Sequence, residues 1–79
     1  MNWKDYIVVD PEVLAGKPVV KGTRLSVELI LDRLADGWSE EDLFRSYPNL
    51  KPAALQAVFA FTSEVMREED YIARNKAVA

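Results

Sequence analysis

Between Ser26 and Pro52 the chain carries three helix starts and two helix stops, and this punctuation constrains the fold more than any other feature. Ser26 is an N-cap residue ahead of Val27, Ile30, Leu31 and Leu34, which recur at the spacing of one helical face until Gly37 closes the run. Ser39 starts a second helix, with Asp42 in the acidic position of a capping box and Trp38 placed to staple onto Leu43. Glu40, Glu41 and Asp42 crowd the first turn, where the helix dipole favours negative charge. They read as helix-start electrostatics rather than a magnesium site, which needs ligands converging from elsewhere. Tyr47-Pro48 ends this helix, because the residue before proline is pushed out of the helical region. Pro52, a first-position proline, opens a third helix expected to reach about Asp70.

Ahead of the helices, Tyr6-Ile7-Val8-Val9 and Val19-Val20-Lys21 are β-branched runs that read as a small two-stranded hairpin. Between them Asp10 is placed to cap a single helical turn over Pro11 to Ala15, with Gly16 just past its end. A two-stranded ribbon is unstable alone, so its apolar side is expected to lie on the helices. The fold class is mainly α, three helices with a short N-terminal β-hairpin, in the order and lengths of a helix-turn-helix. One domain is expected over residues 1–70, and residues 71–79, without a cap and weakly periodic, read as a C-terminal tail.

The third helix has two apolar stripes. Leu55, Val58, Phe59, Thr62 and Met66 form one, and Ala54, Ala57, Phe61 and Val65 the other. Together they exceed what one small domain needs for its own core, so the second stripe is expected at a homodimer or partner interface. The alternative is a central helix wrapped by its own chain.

At 79 residues, a chain buries only about 60–65 % of its unfolded surface, which disfavours a deep active site. It contains no cysteine and no histidine, so thiolate metal sites, disulfides and the commonest general base and metal ligand are all absent. The expectation is a non-enzyme without cofactor, metal or small-molecule substrate. No apolar run has signal-peptide or membrane-span length, which points to a cytoplasmic protein with no membrane role. The net charge of −3 is unevenly spread. Lys4, Lys17, Lys21 and Arg24 outnumber Asp5, Asp10 and Glu12 up to Leu25, whereas Ser26 to Leu50 sets Arg33 and Arg45 against six acids. A polyanion meets the first segment more favourably than the second.

The most distinctive segment is Gly16-Lys17-Pro18-Val19-Val20-Lys21-Gly22-Thr23-Arg24. Lys17, Lys21 and Arg24 have no obvious local acid, and they read either as solvated turn residues or as a small phosphate- or carboxylate-binding edge with Arg24 the bidentate donor. The GxxxxGK[ST] order of a P-loop is missing. In a helix-turn-helix the third helix would enter the major groove, yet only Lys51, Gln56 and Asn49 near its start could contact DNA. DNA binding through Lys17, Lys21, Arg24 and Lys51 is permitted without being favoured.

The same segment, with Ile7 to Asp10-Pro11 before it and Gly37-Trp38-Ser39-Glu40-Glu41-Asp42-Leu43 and Tyr47-Pro48-Asn49-Leu50 after it, resembles the bacterial "domain of unknown function 433" family to about Phe61. That family usually has threonine or serine where this chain has Lys51, which weakens the third helix's cap here. The resemblance implies a homeodomain-like helix-turn-helix with an N-terminal hairpin. It also implies an antitoxin-like protein that neutralises a PIN-like ribonuclease toxin, with operator DNA, bound as a dimer, a candidate second partner. The family supplies no catalytic residues. A nuclease of that kind presents carboxylates around its metal, and Tyr71, Ile72, Arg74 and Lys76 combine apolar anchors with cations suited to reach them. The alternative is a dimeric protein–protein interaction module with no nucleic-acid role.

Overall fold

A computed structural model describes the backbone of residues 1–78 and the side chains of residues 1–68. Helix α1 spans Val27–Ala35, and the Ser26 hydroxyl accepts the Leu29 N–H at 2.9 Å. At its far end Gly37 takes a φ of +96°, so that the Trp38 N–H reaches the Arg33 carbonyl and the Gly37 N–H reaches the Leu34 carbonyl, both at 3.0 Å. These bonds make a Schellman motif and satisfy carbonyls the helix would leave orphaned. Helix α2 spans Glu40–Ser46 under the expected capping box. The Ser39 N–H donates to Asp42 Oδ2 at 2.9 Å, and the Asp42 N–H donates to Ser39 Oγ at 3.1 Å. Tyr47, with φ −125° and ψ 80°, leaves the helical region ahead of Pro48. Helix α3 spans Pro52–Val78 and so continues past its expected end at Asp70. No glycine or proline follows Asp70 to stop it.

Strand β1 (Ile7–Val8) pairs antiparallel with β2 (Val19–Val20), Ile7 opposite Val20 and Val8 opposite Val19. The other edge of β2 is covered by the segment leading into α1. There the Val20 N–H donates to the Leu25 carbonyl at 2.8 Å and the Val27 N–H to the Pro18 carbonyl at 2.9 Å. The start of α1 is thereby fixed to the hairpin by backbone bonds. A 3-10 turn over Trp3–Asp5, capped by Asn2, precedes β1 and has no counterpart in the sequence analysis.

The hairpin connection departs from the expected helical turn over Pro11 to Ala15. Asp10 does cap, its Oδ1 accepting the Glu12 N–H at 2.9 Å, but the Val13 N–H then closes on the Asp10 carbonyl and a separate 3-10 turn follows over Leu14–Gly16. A short aspartate side chain that binds the backbone two residues on turns the chain before a helical turn can form. Leu14, Ala15 and Gly16 all have positive φ, 48°, 56° and 83°. For the two non-glycines that conformation costs about 1–2 kcal/mol each.

The core is formed by Ile7 and Val20 of the hairpin, Val27 and Ile30 of α1, Leu43 of α2, Leu50, and Ala54, Leu55, Ala57 and Val58 of α3. Ala54 and Ala57, expected at a partner interface, are instead 4 % and 0 % exposed inside the chain's own core. The reason is steric: α3 rests on β1 and the Trp3–Asp5 turn, and alanines let the elements approach closely. Phe59 and Met66, placed by periodicity in an inward stripe, are 39 % and 55 % exposed, because the inward face centres on positions 54, 55, 57 and 58. The result is a mainly α fold of three helices with a two-stranded antiparallel sheet at its N-terminal side.

Candidate partner-binding groove

Beyond Val58, residues of α3 and of the outer flank of α1 face one open groove. Val27, Glu28, Leu31 and Asp32 on α1 and Phe61, Thr62, Val65 and Met66 on α3 share the spacing i, i+1, i+4, i+5, which puts each set on adjacent turns of one helical face. With Pro18 they line an open groove of about 300 Å³. Leu31, Phe61 and Val65 are half-buried in it, and Met66 is exposed at its edge. The Thr62 hydroxyl is turned back to its own helix, donating to the Val58 carbonyl at 2.7 Å. Glu28 and Asp32 are the charged residues of the lining, and both are acidic.

Both walls are held from behind. On α3, the Phe61 ring meets Trp3 edge-to-face, with centroids 4.8 Å apart and an interplanar angle of 82°. The Trp3 indole N–H donates to Glu64 Oε2 at 2.8 Å, clamping the N-terminal turn to the same helix. On α1, Ile30 is fully buried in the core, and Arg33 ties the helix to the residues that flank α2. Its guanidinium lies 5.3 Å from the Trp38 ring centroid, Trp38 stacks on Tyr47 at 6.0 Å, and Arg33 Nε donates to Tyr47 Oη at 3.2 Å. That hydrogen bond, and then the electrostatic influence of Tyr47 and of the nearby Asp36 and Asp32, outweigh desolvation and raise the Arg33 pKa above its ordinary value. Trp38, expected to staple α2, packs on the core cluster that contains Leu43.

The cationic residues singled out from the sequence are dispersed. Lys17 is not free of an acid: its Nζ lies 3.4 Å from Glu28 Oε2, because the pairing of Pro18 with Val27 brings the start of α1 beside the hairpin. Lys21 and Arg24 are exposed on the turn between β2 and α1. Arg24 borders a second depression, of about 510 Å³, with Glu12, Val13, Leu14, Gly22 and Thr23. Lys51 belongs to the corner between α2 and α3, where its Nζ donates to the Pro48 carbonyl at 3.4 Å. Among the described residues the exposed positions at the start of α3 are Lys51, Pro52, Ala53 and Gln56, a poor set for reading base edges. Of the expected interface residues, Phe61 and Val65 do line the groove, while Ala54 and Ala57 do not. Tyr71, Ile72, Arg74 and Lys76 lie outside the residues whose side chains are described.

Leu31, Asp32 and Met66 are groove residues that the sequence analysis did not assign to a site, and Trp3 supports them unannounced. The apolar period flagged Leu31 and Met66 as helix-face residues, but nothing local signals that the two faces meet. Among the described residues no three acids are placed to hold a metal ion, and no helix is long and apolar enough to cross a membrane.

A family model described as "Protein of unknown function (DUF433)" matches residues 7–62. No curated protein matches the chain. Among solved structures, the crystal structure of a DUF433 member from Anabaena variabilis superposes with a TM-score of 0.76 at 22 % identity, covering 86 % of this chain and 67 % of that one. At that identity the likeness concerns the fold. The matched span runs from the first residue of β1 to Thr62 at the groove, so it takes in the hairpin, α1, α2 and the core-forming part of α3, and the chain belongs to the DUF433 family.

Proposed function

We propose that the protein is a non-catalytic, cytoplasmic, antitoxin-like module that binds and neutralises a PIN-like ribonuclease toxin, and that the groove between α1 and α3 is where the toxin docks. The groove itself carries this reading. An apolar surface formed by Leu31, Phe61, Val65 and Met66 and left open by the chain's own fold is what a protein partner covers. The class of partner comes from the resemblance of the Gly16 to Leu25 run and its flanking motifs.

Binding of operator DNA is a second activity of the same protein, supported by the exposed Lys21 and Arg24 on one turn. It is the weaker part of the reading, since Lys17 is paired with Glu28 and Lys51 sits at another corner. A homodimer through Phe61 and Val65, the arrangement operator binding calls for, would occupy the same groove and is therefore the alternative to toxin docking there.

Co-expression with a PIN-like ribonuclease encoded by the adjacent gene tests the proposal. The chain is expected to co-purify with the nuclease and to restore growth, and Met66→Lys, at an exposed position that tolerates the change, is expected to abolish both. Growth fully restored by Met66→Lys would move the contact away from the groove, and deletion of residues 71–79 then tests the C-terminal segment. Failure of the wild-type chain to bind the nuclease removes the antitoxin reading.

A further inference from the structure

Resting on the groove as the toxin-docking surface, we infer that its occupant is an amphipathic α-helix of the partner, with lysine or arginine on the flank that faces α1. The lining is built from side chains of two helices and offers no strand edge to pair with an extended segment; the Thr62 hydroxyl proton is committed to the Val58 carbonyl, and the acceptors left, the Glu28 and Asp32 carboxylates, lie on the α1 side alone. An extended peptide would bury backbone N–H groups unpaired at about 1–3 kcal/mol each, whereas a helix satisfies its own. Both walls repeat at one-turn spacing, Val27 with Leu31 and Phe61 with Val65. A third helix fills such a surface with side chains three or four residues apart. The volume of about 300 Å³ matches a short contact, two anchors from neighbouring turns rather than a long interface.

Charge selects the occupant. Glu28 and Asp32 line the α1 side, and among the described residues no cation lines either wall and Asp32 has no ion pair. A cation on the incoming helix would pair with Asp32 and compete with Lys17 for Glu28. A second copy of this chain fits less well, because a two-fold pairing groove to groove sets the two acidic rims against each other.

The probes are two synthetic helical peptides with identical leucine anchors, one with lysine and one with glutamate at every flanking position, titrated into the isotopically labelled full chain by NMR. The lysine peptide is expected to shift the resonances of Leu31, Val65 and Met66 and to bind about tenfold more tightly than the glutamate peptide at low salt. A central proline in the lysine peptide is expected to weaken binding about tenfold or more, since it breaks the helix. Glu28→Lys with Asp32→Lys inverts the preference, whereas Glu12→Lys with Glu41→Lys, the same charge change outside the groove, preserves it.

Equal binding of the two peptides, a preference that survives Glu28→Lys with Asp32→Lys, or undiminished binding of the proline peptide overturns the inference. So do shifts at Leu31 and Met66 that depend on chain concentration without peptide, which would seat a second copy there. Toxin rescue separates the two levels. If the lysine preference holds while Met66→Lys still neutralises the nuclease, the toxin docks elsewhere and the groove chemistry stands. If Met66→Lys abolishes neutralisation while both peptides bind equally, the groove is the toxin site and the basic helix is wrong.

Discussion

Trp3 reaches across 61 residues of sequence to clamp α3, and replacing it separates two contributions that the structure superimposes. Trp3→Phe keeps a smaller ring against Phe61 and deletes the indole donor to Glu64. An exposed hydrogen bond of that kind is worth about 0.5–1 kcal/mol. Trp3→Ala also removes the edge-to-face pair, about 0.5–1.5 kcal/mol, and the burial of a half-buried indole, about 1–2 kcal/mol. The expected total of about 2–4.5 kcal/mol is a large share of the roughly 4–12 kcal/mol available to a domain of this size. Tm should fall by about 10–35 °C. Urea denaturation of wild type, Trp3→Phe, Glu64→Ala and the double variant gives the coupling energy, expected at about 0.5–1 kcal/mol. A coupling below about 0.3 kcal/mol would show that the Trp3–Glu64 bond adds nothing. A Trp3→Ala loss under about 1 kcal/mol would refute the clamp as a support of the groove wall.

Gly37→Ala should destabilise by about 1 kcal/mol for conformational reasons alone, since the added methyl meets nothing within 4 Å but the φ of +96° disfavours it; thermal melts that show no loss would mean the Schellman motif is dispensable. The Ser39 backbone N–H and then the Ser39 hydroxyl hold the Asp42 carboxyl below the usual carboxylate range. Its stabilising effect is therefore complete above the ordinary aspartate pKa near 4 and lost as pH falls through the lowered value. Asp42→Ala should be less stable than wild type at pH 7, and the gap should narrow on acidification; a gap constant to pH 2 would contradict the capping role. If operator DNA is bound, Lys21→Glu with Arg24→Glu should weaken binding and flatten an already shallow salt dependence in gel-shift titrations. Unchanged binding would remove the β2–α1 turn from the DNA contact.

The helix boundaries were legible in the sequence because their causes are local. Ser26, Gly37, the Ser39–Asp42 capping box, Pro48 and Pro52 each act on backbone groups within one turn, so residue order alone determined where α1 and α2 start and stop and where α3 begins. The β-branched runs marked both strands for the same reason, and the Gly16 to Leu25 segment carried the family. The connection between the strands was less legible, because whether Asp10 caps a helical turn or closes a tighter one depends on a competition among neighbouring N–H groups.

Which face of α3 turned inward was settled only by tertiary structure. Both stripes of that helix are apolar, and periodicity cannot rank them. The ranking came from where the hairpin and the Trp3 turn press on the helix, which buried Ala54 and Ala57 and left Phe59 and Met66 outside. Lys17 found Glu28, and Trp3 found Glu64, because the fold brought together elements that residue order keeps apart. The groove has the same origin, since four of its lining residues belong to α1, four to α3 and one, Pro18, to the hairpin, and they become one surface only when the core is packed.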